Sequence, residues 1–216
     1  MSDKMRLDKL LALLGEGTRS EIKAMVRAGR VTVDGAGARD AGMQVDGAQS
    51  DVRLDGRRLC YKAVRHVMLN KPSGVLTAAR DKKQKTVMDL LPPMYAAMGA
   101  MPAGRLDKDT EGLLLITNDG ALAHRLLSPV KHVPKTYLVH TKKPVTSQMC
   151  EKLEAGVEIG DETPTAPAKT KLLSDTDCGL LLTITEGRFH QVKRMLQAVG
   201  NEVVYLKRLS MGALVL

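Results

Sequence analysis

The chain has 216 residues, 44% hydrophobic and 26% charged, a globular composition that excludes a disordered one. Its 33 basic and 24 acidic side chains leave a formal net charge of +9, which points to a polyanionic partner. No apolar run approaches the roughly 20 residues that span a bilayer, and Met1 to Arg6 lacks the apolar core of a secretory signal, so a soluble cytoplasmic protein with no membrane partner is expected. Cys60, Cys150 and Cys178 are odd in number, widely separated and without Cys-x-x-Cys spacing, which argues against a disulfide framework and a structural zinc site. The positive charge is uneven: residues 1–61 carry 11 basic and 9 acidic groups, 62–143 carry 14 and 6, and 144–216 carry 8 and 9, so the excess sits in the middle third.

In chain order, Leu7, Leu10, Leu11 and Leu14 follow helical spacing until Gly15-Glu16-Gly17 stops the run. Thr18-Arg19-Ser20-Glu21 has capping-box form and opens a second helix ended by Gly29, with Ile22, Met25 and Val26 as its apolar face. Arg19, Lys23 and Arg27 recur at i, i+4 and i+8 on another face, either a solvated face or a row matched to phosphates. Val31-Thr32-Val33 with Asp34-Gly35, then Val52-Arg53-Leu54 with Asp55-Gly56, read as strands with hairpin turns. A helix pair followed by small strands resembles the S4 RNA-binding domain, the match resting on Arg6-Leu7-Asp8-Lys9-Leu10-Leu11, Arg19-Ser20-Glu21-Ile22-Lys23 and Arg27-Ala28-Gly29-Arg30-Val31-Thr32-Val33-Asp34-Gly35. The resemblance implies that Arg6, Lys9, Arg19, Lys23, Arg27 and Arg30 meet RNA. The expected division is an S4-like domain over residues 1–60, a linker over 61–65 and a second domain over 66–216.

In the second part a strand is expected at His66 to Leu69, a turn at Lys71-Pro72-Ser73-Gly74, and a partner strand at Val75-Leu76-Thr77. Residues 80–85 form a cation-dense loop. Leu113 to Ile116 reads as a buried strand, Ala121 to Leu127 as a short helix, and further strands are expected at 136–139, 169–173, 180–185 and 202–207. A helix from about His190 to Val199 directs Val192, Met195, Leu196 and Val199 inward. Many strands with few short helices predict an α+β protein: a small αα-β domain, then a mixed, mainly antiparallel sheet with helices packed on it.

Two segments concentrate reactive groups. Gly104-Arg105-Leu106-Asp107-Lys108-Asp109-Thr110-Glu111-Gly112 places charges of both signs in a loop before a buried strand, a rigid setting for a nucleophile. Asp107 or Asp109 equally suits an Asx turn, and the pair also suggests glycosidase chemistry, which needs a carboxyl separation that sequence spacing does not supply. The second segment, Glu186 to Leu196, puts His190, Lys193 and Arg194 on the first turns of a helix. A cation brought beside a carboxylate nucleophile would offset the desolvation of its charge. Tyr137, on a strand, is one of few rings and equally a core residue.

Together, Gly104-Arg105-Leu106-Asp107 with Thr110 and Gly112, Lys135-Thr136-Tyr137, and Gly187-Arg188-Phe189-His190-Gln191-Val192-Lys193-Arg194-Met195-Leu196 resemble the ribosomal small-subunit pseudouridine synthase A family, with Lys71-Pro72-Ser73-Gly74 and Leu206-Lys207-Arg208 in agreement. That resemblance implies Asp107 as the nucleophile, Tyr137 against the target base, Lys193 paired with the aspartate, and Arg105 and Arg194 at the RNA. It implies a monomer that isomerises uridine to pseudouridine in ribosomal RNA or an assembly intermediate, without metal or other cofactor. The short chain leans to small-subunit RNA. Large-subunit RNA and a non-catalytic S4-type assembly factor are the alternatives, and a glycosidase is disfavoured.

Overall fold

The computed structural model describes residues 4–216. The chain divides into two compact units, one holding the residues up to His66 together with Met88–Met101, the other Val67–Val87 and Pro102–Leu216.

The first unit opens with β1 (Lys4–Arg6), α1 (Leu7–Leu13) and α2 (Arg19–Arg27). Thr18 starts α2 with a reciprocal box: Glu21 N–H donates to the Thr18 hydroxyl at 3.3 Å, and the Glu21 carboxylate accepts from Thr18 N–H at 2.7 Å. These bonds satisfy two of the amide donors a helix start leaves open. β2 (Val31–Val33) turns into β3 (Ala36–Gly37), β4 (Gln44–Asp46) pairs antiparallel with β1, and β5 (Val52–Leu54) turns into β6 (Arg57–Arg58). Both hairpins turn on Asp-Gly pairs with positive φ throughout, +51° and +83° at Asp34-Gly35 and +50° and +79° at Asp55-Gly56, the backbone a two-residue hairpin demands. Leu7, Leu10, Leu11, Ile22, Val26, Val31, Val52 and Leu54 close over one another as the core. α3 (Pro93–Ala97), for which the sequence shows no helical periodicity, lies against α1 in this unit.

In the second unit, β7 (His66–Lys71), β8 (Met101–Ala103), β9 (Glu111–Thr117), β10 (Lys135–Thr141), β11 (Lys169–Leu172), β12 (Gly179–Ile184), β13 (Val203–Met211) and β14 (Leu214–Val215) form one sheet. Its order is β11-β12-β10-β13-β9-β7, with β8 on β9 and β14 on β13. The β10–β12, β10–β13, β11–β12 and β13–β14 pairs are antiparallel, and β13–β9 is parallel. Helices α4 (Gly120–Leu127), α5 (Ser147–Ala155) and α6 (Gln191–Ala198) complete it, so the expected α+β architecture with a mainly antiparallel mixed sheet is the one observed. β9 is buried from Gly112 to Thr117, as its unbroken apolar run requires of a strand covered on both faces.

One local expectation changes. Residues 75–77 do not return as a partner strand: Leu76 makes a single parallel bridge to Thr86, and β7 pairs with β9 instead. The Thr77 hydroxyl is spent on the backbone at Leu106, which takes the place of a ladder bond. Helix α5 was not legible in the sequence because Leu153 is its one buried residue; it is started by the Thr146 hydroxyl, which accepts from Met149 N–H at 3.3 Å.

Candidate active site

The loop between β8 and β9 has every carbonyl from 106 to 110 occupied. Leu106 O accepts from the Thr77 hydroxyl at 2.8 Å and Asp107 O from Thr110 N–H at 3.1 Å. Lys108 O accepts from Gly74 N–H at 2.8 Å and from Lys71 Nζ at 3.1 Å. Asp109 O takes the Ser73 hydroxyl at 3.3 Å, and Thr110 O takes Lys71 Nζ at 2.8 Å. Lys71 is fully buried, and burial pushes its ammonium below the usual lysine range, with Asp109, Asp107 and Glu111 pulling the other way. The Lys-Pro-Ser-Gly turn and Thr77 are thus the mould in which the loop sets. Gly112 closes it: φ is +102°, and a Cβ there would stand 2.2 Å from Arg208 O, so the parallel contact of β9 with β13 admits only glycine.

The mould presents Asp107, half-buried, into a cleft of about 860 Å³ whose lining also includes Arg105, Tyr137, Phe189, His190 and Lys193. Lys193 Nζ stands 3.7 Å from Asp107 Oδ2, and His190 Nε2 stands 3.6 Å from Asp107 Oδ1. Lys193 binds Asp109 more closely, at 2.7 Å to each carboxylate oxygen. Its donated hydrogen bonds hold the Asp109 carboxyl below the ordinary carboxylate range against the desolvation that raises it. One ammonium therefore serves two carboxylates, and the expected pairing of Lys193 with Asp107 is the longer of the two contacts.

The floor is the sheet. Tyr137 is buried on β10, with Arg208 of β13 and Leu182 of β12 as its cross-strand neighbours. Lys135 is buried too, its ammonium donating to Val133 O at 3.0 Å and pushed below the lysine range by burial and by Arg208. Arg208 Nε donates to Leu113 O at 2.7 Å, tying β13 to β9 beneath the loop.

The far wall is the segment before α6. Arg188 donates to Thr163 O at 2.7 Å and Pro164 O at 2.8 Å, and its Nε reaches Glu186 at 3.2 Å. Buried Gln191 accepts from Arg188 N–H at 2.9 Å and donates to Glu186 at 2.6 Å. Arg194 donates to Phe189 O at 3.0 Å, to Ile159 O and to Asp161. Its guanidinium is thereby committed within the protein, where it braces the wall.

Of the other residues expected at RNA, Arg105 is exposed at the cleft, and its side chain makes no hydrogen bond or ion pair among the described residues. In the first unit Lys9, Arg19, Lys23 and Arg27 are exposed side chains that form no ion pair among the described residues. Arg6 is held by Asp8 through bonds of 3.0 and 2.7 Å, and Arg30 by Asp55 through bonds of 2.9 and 2.6 Å. Lys71, Thr77, Arg188 and Gln191, which carry the site's scaffolding, had no role assigned from sequence. The Lys-Pro-Ser-Gly turn was visible, but nothing in it indicated that its lysine turns inward. Among the described residues, no three His, Cys, Asp or Glu gather to hold a metal ion, and no helix is long and apolar enough to cross a membrane.

A carboxylate moulded beside cations in a cleft, in a chain that also carries a helix-pair unit with a row of free cations, is the plan of an RNA-modifying enzyme. The RNA pseudouridylate synthase model matches residues 65–198 and the S4 domain model residues 5–52. An uncharacterized RNA pseudouridine synthase of Bacillus subtilis, YtzG, is 54% identical over 96% of this chain and 88% of its own length. The ribosomal small subunit pseudouridine synthase A of Escherichia coli is 41% identical over 98% of this chain and 91% of its own. The ribosomal large subunit pseudouridine synthase B of Bacillus subtilis is 38% identical over 94% and 84%. A crystal structure of a pseudouridylate synthase, 36% identical, superposes with a TM-score of 0.66 over 98% of this chain and 90% of that one. The chain belongs to the S4-containing branch of the RNA pseudouridylate synthase family, whose members are isomerases.

Proposed function

We propose that this protein converts a uridine of ribosomal RNA to pseudouridine, with small-subunit RNA as the substrate and Asp107 as the reacting carboxylate. The observation that carries the reading is Asp107 itself. It is half-buried in a cleft, on a loop whose five carbonyls are all occupied, with Lys193 and His190 within 4 Å. A nucleophile so placed loses no entropy to loop ordering when substrate arrives, and the neighbouring ammonium offsets the cost of enclosing its charge. Tyr137 on the floor supplies a ring for the base. The glycosidic bond from C1′ to N1 breaks, the uracil turns, C5 bonds to C1′ and gives up its proton to solvent, and N1 takes up a proton, so that substrate and product are isomers.

A base inside an RNA helix must be everted to reach the floor, at a cost of a few kcal/mol that cationic contacts offset. In this reading residues 1–60 bind folded RNA through Lys9, Arg19, Lys23 and Arg27, with Arg6 and Arg30 beside them, residues 61–65 link, and residues 66–216 catalyse. Arg105 contacts the RNA at the cleft, and Arg194 supports the wall that meets it. A ribosomal substrate sets the reaction in the cytoplasm, and one cleft per chain suffices for a monomer. The small-subunit choice is supported by small-subunit enzymes at 38–41% identity, beside a large-subunit enzyme at 38%.

The decisive experiment has two parts. Asp107→Asn should abolish tritium release from RNA labelled at uridine C5 while RNA binding persists; release at the wild-type rate would remove Asp107 from its role. Pseudouridine mapping in a deletion strain should show one site lost from small-subunit RNA, and a loss confined to large-subunit RNA would overturn the substrate.

A further inference from the structure

Phe189 is the chain's single phenylalanine, and 73% of its surface is exposed. The tyrosines are otherwise engaged: Tyr137 is buried in the floor, Tyr205 donates to Glu111 at 2.9 Å, Tyr61 packs on the first unit's core and Tyr95 is half-buried. One exposed apolar side chain carries no meaning alone. What distinguishes Phe189 is the rigidity of its support. Arg188 before it is anchored at Thr163, Pro164 and Glu186, and Arg194 after it takes the Phe189 carbonyl itself at 3.0 Å. A clamped backbone holding an apolar ring in solvent is a presentation, not the slack of a mobile loop.

The next residue adds to it. His190 has φ +48°, a left-handed conformation uncommon for a non-glycine residue. In it the Phe189 and His190 rings lie face to face, with centroids 3.9 Å apart and planes 16° apart. The inner ring reaches to 3.6 Å from Asp107, and both rings line the Asp107 cleft. The result is a two-ring stack running outward from the carboxylate.

We infer that Phe189 is a stacking platform for the nucleobase flanking the everted uridine in the substrate RNA, an inference that rests on the uridine-eversion reading above. A uridine that leaves its stack uncovers the face of its neighbour. The lysines around the cleft suit phosphates and Arg105 offers a planar but charged guanidinium, whereas an exposed apolar ring on a fixed backbone restores stacking of either a purine or a pyrimidine, because every base has a π-face. The platform therefore supports eversion without reading sequence.

The test uses the full chain as Phe189→Ala, Phe189→Leu and Phe189→Tyr. One arm follows the fluorescence of a single-stranded RNA oligonucleotide with 2-aminopurine beside a uridine. The other follows single-turnover pseudouridine formation in ribosomal RNA from a strain lacking the enzyme. Phe189→Ala should raise the half-saturating protein concentration roughly 5- to 150-fold, the range of one lost base stack, with a smaller change in the limiting rate. It should also abolish the 2-aminopurine quench. Phe189→Tyr should restore both. Phe189→Leu, which keeps apolar area without a π-face, should resemble Ala. Wild-type behaviour of the Ala or Leu variant in both arms overturns the platform. A wild-type chain inactive on ribosomal RNA defeats the substrate reading instead, and the oligonucleotide arm still decides the stacking.

Discussion

Lys71 is where the mould around Asp107 can be broken with one substitution. Lys71→Met keeps most of the stem's volume and removes the ammonium, so Pro72 O, Lys108 O and Thr110 O each lose a charged donor at 2.8–3.1 Å. Lys108 O retains the Gly74 N–H, and Pro72 O is partly exposed and turns to water. The bond to Thr110 O is fully buried, and an acceptor left unsatisfied there costs about 1–3 kcal/mol. Relief from burying an ammonium works in the opposite direction, so the net loss of stability should be near 2 kcal/mol, readable as a shift in the urea midpoint without a change in slope. Turnover should suffer more. The Asp107 loop loses donors at two of its five anchored carbonyls, and a displacement of about 1 Å at a reacting group costs on the order of 10²-fold in rate. Single-turnover tritium release, run where the variant remains folded, measures this directly. A folded Lys71→Met protein with the wild-type rate would refute the idea that Lys71 positions the loop. Thr77→Val, which removes both bonds at Leu106, should produce a smaller deficit of the same kind.

Lys193→Met should raise the Asp109 midpoint, because donation from Lys193 is the largest of the causes that lower it; carboxyl NMR titration would show no movement if the pair were absent in solution. Gly112→Ala forces a side chain against Arg208 O at φ +102° and should cost about 2–5 kcal/mol in denaturant unfolding, with a near-neutral result excluding the close β9–β13 contact. Asp8 is buried and bonded to Arg6, which holds its carboxyl below the usual range. A depressed folded pKa contributes stability above the unfolded value of about 3.9 and loses it as pH falls through the folded one. Asp8→Asn should therefore destabilise at pH 7 by an amount that begins to shrink only below about pH 4, as the wild-type carboxylate is protonated; a pH-independent difference would assign the effect to shape instead of charge.

Much of the local chemistry was legible where it is written within a few residues, though the hairpin expected at residues 71–77 does not form and the capped helix α5 gave no signal. The capping box at Thr18 and Glu21, both Asp-Gly hairpins, the buried run of β9 and the apolar face of α6 depend on neighbours in sequence, and each forms as its spacing requires. Asp107, Tyr137 and Lys193 could be singled out because their residue types stand in motifs, and all three line one cleft. What spacing could not convey was how Lys193 divides itself between Asp107 and Asp109, which depends on ångström differences between a loop and a helix 84 residues apart. The inward turn of Lys71, the commitment of Arg194 to Asp161 and Ile159, and the placing of residues 88–101 with the first unit are of the same kind. Sequence by itself determined the elements, the turns and the reactive residue types, because those follow from dihedral preference and periodicity over one or two turns of chain. Only the tertiary structure decided which charge meets which, since a buried cation takes whichever carbonyls and carboxylates the packed chain brings within about 3 Å.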